Sequence, residues 1–177
     1  MAKILVICLL MVLSFSCRKL EEYPVEPIIV FQNFELLINT QTGISERGVL
    51  SFSYTDGDGD LGLDQEDTLF PYHPKGDYYY NLLITYFEMD HGEFKEIPLL
   101  SWNNTTQQYD TLTFNSRMPL FLPKDKQQGI KGIISDTLYI NNPLALSDTI
   151  QFKVKIIDRE LHISNEVSTQ PIVLIKH

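Results

Sequence analysis

The chain reads as an all-β protein, an antiparallel β-sandwich of about eight strands preceded by a cleaved signal peptide. Three observations carry that reading. Apolar and polar residues alternate with a period of two in segment after segment from Ile28 onward. Stretches with a 3.6-residue apolar period and caps are missing, and prolines at 98, 119, 123, 143 and 171 punctuate the segments. The first sixteen residues have a different character altogether, that of an export leader.

The leader, MAKILVICLLMVLSFS, carries one positive charge at Lys3, an apolar run from Ile4 to Leu13, and hydroxyl residues before Cys17. An apolar helix of about ten residues spans only ~15 Å, half of a bilayer's hydrocarbon core, so it is expected to be removed and not to anchor. A cut ending on cysteine resembles the lipobox of bacterial lipoproteins, in the looser Bacteroidota version, with Leu13 and Ser16 in fitting places and Ser14 and Phe15 departing from the commoner pattern. That resemblance implies lipidation of Cys17. Cysteine usage agrees: the chain has two cysteines, Cys8 leaves with the leader, and Cys17 then has no partner for an internal disulfide in an oxidising compartment. Several acyl chains at ~0.8 kcal/mol per buried methylene make such an anchor durable. The segment 17–27, with RKLEEYPVEP after the cysteine, reads as a lipidated tether, and its KLEE portion is similar to export tags that place lipoproteins on the outer face of the outer membrane. The expected address is the cell envelope, on the outer membrane.

Residues 28–177 read as one domain. Removing the leader leaves 13 basic against 23 acidic side chains, a net charge of −10, and the basic residues do not cluster. Such a chain has no electrostatic footprint for nucleic acid or for an anionic lipid surface. It suits divalent cations instead.

Strands are expected in order at Ile29 to Ile38, in GVLSFSYT, in YYYNLLITYFEMD, in FKEIPLL after a DHG turn, at Tyr109 to Phe114, at Ile133 to Ile140, in DTIQFKVKIID, and at Val167 to Ile175. Leu50, Phe52 and Tyr54 alternate with Ser51 and Ser53, and Ile150, Phe152, Val154 and Ile156 alternate with Gln151, Lys153 and Lys155, so both strands bury one face. The central strand at 78–90 is apolar on both faces. The closing stretch KVKIIDRELHISNEVSTQPIVLI resembles the final hairpin of bacterial immunoglobulin-like and fibronectin-type domains, which implies an immunoglobulin-like form of the sandwich.

The sharpest motif is TDGDGDLGLDQED. Asp56, Asp58, Asp60, Asp64 and Asp67 fall at places one, three, five, nine and twelve of a calcium loop, and Gly62 falls at place seven, which offers a backbone carbonyl. Carboxylates this dense repel one another unless a cation neutralises them, so calcium is the expected cofactor and these six residues the expected ligands. Leu61 stands where the sharp-turn glycine belongs and Asp67 where a bidentate Glu belongs. With strands on its flanks, the loop resembles those of thrombospondin type-3 or dockerin spacing more than an EF-hand. Within FSYTDGDGDLGLDQEDT it is also similar to a motif near the start of small Bacteroidota surface lipoproteins with immunoglobulin-like domains. That family has no settled activity and implies fold and address alone.

Catalytic signals are lacking. The histidines at 73, 91, 162 and 177 show no metal-ligand spacing, and there is no GxSxG elbow or phosphate loop. Paired carboxylates for hydrolysis are the residual enzymatic reading. The expected role is a non-enzymatic, lipid-anchored envelope module stabilised by calcium. The rival role is a surface receptor or adhesin for a glycan or protein, with Trp102, Tyr78 and Tyr80 as stacking residues.

Overall fold

The computed structural model describes residues 22–142 and 144–176. The signal peptide and Cys17 lie outside the described residues. Among those described there is no helix, and the strands are β1 (Ile28–Ile38), β2 (Ser45–Asp56), β3 (Leu82–Asp90), β4 (Glu93–Glu96), β5 (Leu99–Asn103), β6 (Gln108–Leu112), β7 (Ile130–Tyr139), β8 (Thr149–Ile156), β9 (Val167–Ser168) and β10 (Ile172–Val173).

Two antiparallel sheets form the sandwich, as the alternation predicts. One has the order β1-β2-β7 and the other β10-β8-β3-β4, with β9 also on β8. Strands one, two and seven thus oppose three, four and eight to ten, which is the division of an immunoglobulin-like sandwich. Strand parity builds the core between them. Leu50 and Phe52 of β2 are fully buried, as are Ile150, Phe152 and Ile156 of β8. Phe34 of β1 stacks on Phe152 across the sandwich with ring centroids 5.6 Å apart, and Tyr86 and Phe114 complete the aromatic cluster. Aromatic contacts of this kind add about 0.5–1.5 kcal/mol each beyond area burial.

The structure differs from the sequence expectation in three places. Strand β3 begins at Leu82, because Tyr78 to Tyr80 belong to the end of the long connection after β2, where Arg117 donates to the Tyr79 carbonyl (2.8 Å) and covers its ring. FKEIPLL divides around Pro98 into β4 and β5, and β5 pairs only with β6 as a separate hairpin. The closing strand divides into β9 and β10 around Thr169 and Pro171. There the buried Thr169 hydroxyl accepts from the Phe152 amide (3.1 Å) and takes over a ladder position.

Candidate metal centre

The inward-facing series of β2 is Leu50, Phe52, Tyr54 and then Asp56, so the pleat that buries three apolar side chains carries a carboxylate to the same depth. The series of β8 is Ile150, Phe152, Val154 and Ile156, and two residues further on Asp158 is 2% exposed. Two aspartates on facing sheets therefore close the same end of the core. The connection after β2 folds back over this end: Leu61 bridges to Asp158, and Asp60 Oδ2 accepts from the Glu160 amide at 3.0 Å.

Glycines permit that path. Gly59 and Gly62 have φ of +76° and +97°, and a Cβ on Gly62 would stand 2.0 Å from the Pro119 carbonyl oxygen. The Leu61 carbonyl accepts from the Phe121 amide, and the Leu63 amide donates to the Met118 carbonyl (2.9 Å), so the loop is pinned to the 118–121 segment. Gly62 thus has a clear conformational duty at place seven.

Asp56, Asp58 and Asp60 each offer a carboxylate oxygen lying within 4.8 Å of the others. Both oxygens of Asp56 and Oδ1 of Asp58 and of Asp60 are buried and meet no hydrogen-bond donor among the described residues. Burial without donors, then the charges of Asp58, Asp60 and Asp158, push the Asp56 carboxyl up to about 7. Asp60 rises to about 6 by burial and by Asp158 and Asp58, against the lowering effect of the Glu160 amide. Asp158 is raised as well, mainly by burial, although the His162 amide (2.8 Å) and ring Nδ1 (2.9 Å) contact its two oxygens. The donor set is all oxygen and dense in charge, with Asp56 fully buried and Asp58 and Asp60 partly so. Oxygens around a calcium at ~2.4 Å stand at most ~4.8 Å apart, which these satisfy.

Asp64 and Asp67 stand apart from this cluster. Asp67 Oδ1 accepts from Lys124 (2.9 Å), and its Oδ2 accepts from Arg159 and from the Asp64 amide (2.8 Å). Burial alone would raise the Asp67 carboxyl, but Arg159 and Lys124 outweigh it and hold it well below the usual range. The Asp64 and Asp67 carbonyls accept from Arg117 (3.0 and 3.1 Å). Of the five aspartates, the chain brings together those at places one, three and five. Places nine and twelve serve an Arg–Lys lock because the chain turns away at Gly62. Asp158 is the residue that sequence reasoning missed, and extending the β8 alternation by one step would have found it.

Trp102 lies elsewhere, on β5, half exposed and edge-on to Tyr109 at 5.1 Å. It lines a cleft of about 630 Å³ with Leu112, Tyr139 and Leu144, between the β5–β6 hairpin and β7. Tyr78 and Tyr80 do not line that cleft. They lie half-buried in the connection before β3, with Tyr80 edge-on to Tyr79.

No protein-family model matches the chain, and no match is found among curated proteins or solved structures.

Proposed function

We propose that this protein is a non-enzymatic module of the bacterial cell envelope, held to the outer membrane by lipid on Cys17 and stiffened at one end by calcium. The observation that carries the metal half is the set of four buried carboxylate oxygens without donors at the end of the β2 pleat. Leaving such groups charged and unpaired costs several kcal/mol. A divalent cation converts that cost into a clamp joining β2, the loop and, through the neighbouring Asp158, the turn after β8. Asp56, Asp58 and Asp60 are the ligands, with Asp158 next to them. Affinity in the ~10⁻⁴–10⁻³ M range of extracellular modules suits this role.

Terbium luminescence tests the site, since Tyr54 is two residues from Asp56 and can sensitise a lanthanide bound there. Emission should rise with terbium, fall when calcium competes, and be lost in Asp58→Ala. Emission that calcium leaves untouched would overturn the assignment. The anchor rests on the lipobox resemblance, and labelled palmitate should be incorporated by the wild-type chain and not by Cys17→Ala.

A second reading, a receptor for a glycan or protein, draws support from the cleft beside Trp102 and the exposed Tyr109 and Tyr139. Binding on a glycan array that vanishes in Trp102→Ala would favour it, and a featureless array would count against it.

A further inference from the structure

The chain enters the domain at its acidic end. A Cβ on Gly57 would lie 2.4 Å from the Tyr23 carbonyl oxygen and 2.6 Å from that of Pro24, so the segment leading into β1 is seated directly on the start of the loop. The Lys131 ammonium lies over the Tyr23 ring, 5.9 Å from its centroid. Cys17 precedes Tyr23 by six residues, a reach of at most ~20 Å at full extension. Strand β2 alone, with twelve residues, runs ~40 Å. A lipid on Cys17 can therefore bring the acidic end to a bilayer, whereas the opposite end is out of its reach in any upright posture.

That same end presents an apolar prong. Leu69 and Phe70 are 80% and 87% exposed. Their base is fixed: the Tyr72 amide donates to the Leu69 carbonyl at 2.7 Å, the Tyr72 hydroxyl donates to the Arg159 carbonyl, and Asp67 is held by Arg159 and Lys124. The Phe70 ring stacks on His73. Two large side chains held out on a rigid base sink into an interface with little further loss of conformational freedom. Exposed Lys75, Lys124 and Lys126 are interspersed with Glu66 and Asp125, so the surroundings carry no net basic patch, and the apolar pair provides the contact.

Resting on the anchored reading above, we propose that the acidic-loop end of the domain lies against the bilayer, with Leu69 and Phe70 seated among the lipid headgroups and upper acyl chains. The domain then stands with its β5–β6 hairpin and Trp102 cleft directed away from the lipid, and the metal centre stiffens the face that bears on the membrane.

The test uses the lipidated full chain in vesicles of phosphatidylethanolamine and phosphatidylglycerol. Trp102 is the chain's one tryptophan, so Trp102→Phe gives a dark background for single probes. Phe70→Trp places a probe on the prong. Leu146→Trp places one at the opposite end, where Leu146 is 99% exposed and its amide donates to Glu88. The position-70 probe should emit to the blue and lose most of its emission when the lipid acyl chains are brominated, while the position-146 probe keeps its emission. If the protein floats with the vesicles and neither probe is quenched, membrane docking is overturned and the anchor stands. Equal quenching of both probes overturns the upright orientation. Protein that fails to float with the vesicles overturns the anchor and this proposal together.

Discussion

Replacing Asp56 with Asn should stabilise the domain without calcium and lose most of that advantage when calcium is bound. The Asp56 carboxyl is fully buried and titrates at about 7 in the folded chain, against 3.8 for the free side chain. An acid whose pKa is raised by folding favours the folded state while protonated. That contribution is complete below the unfolded value and is lost as pH rises from about 4 through about 7. Taking Asp56 alone, three units at 1.36 kcal/mol each make the ionised, cation-free form about 4 kcal/mol less stable above the folded pKa than below the unfolded one. Asn keeps the shape, carries no charge, and can donate an amide hydrogen to the bare oxygens of Asp58 or Asp60. In chelator at ~pH 8 the variant should therefore melt higher than wild type, on the order of 5–15 °C for ~2–4 kcal/mol in a domain of this size. With calcium at a hundred times its dissociation constant, ~10–100 mM for the affinity range given above, wild type gains ~2.7 kcal/mol and the variant gains little, so the variant's advantage should shrink by that amount. Melts followed by circular dichroism in the two buffers are sufficient. A variant destabilised equally in both would refute the reasoning and reduce Asp56 to a packing residue.

Three further outcomes follow from the same geometry. Gly62→Ala should cost on the order of 2–4 kcal/mol in a chemical denaturation series with or without calcium, since it meets both a positive φ and the Pro119 carbonyl. Asp67→Asn should weaken the lock to Arg159 and Lys124 without abolishing cation binding, which terbium emission can check. Because folding lowers the Asp67 pKa, its contribution is complete above the free-carboxylate value and is lost progressively as pH falls from that value through the much lower folded one, so wild type and Asp67→Asn should converge only in melts at strongly acid pH. Phe152→Ala should cost about 3–5 kcal/mol by the same denaturation measurement, as Phe152 is fully buried and touches Phe34, Tyr86 and Phe114.

The sandwich was legible because its strongest signal is local. Alternation in β2 and β8 specifies which side chains go inward, and the structure follows it residue by residue. The β5–β6 hairpin was read only in part, since its pairing depends on Pro98 breaking the strand from β4 and on the turn at 104–107. The site was half legible. Spacing alone assigned Asp56, Asp58 and Asp60, which the backbone does bring together. The same spacing assigned Asp64 and Asp67, but Asp67 pairs with Lys124 and Arg159, 57 and 92 positions away in sequence, and Asp64 lies beside the same Lys124. Asp158 comes from the facing sheet, and nothing in the loop itself points to it. Tyr78, Tyr80 and Trp102 share a composition and not a surface.

The most direct test of the metal assignment is a calorimetric titration of calcium into the domain, in wild type and in Asp56→Asn. Wild type should show one site per chain, half-saturated at submillimolar to millimolar calcium, and the variant should show no binding heat. Wild type without a binding isotherm, or a variant that binds as wild type does, would contradict the assignment.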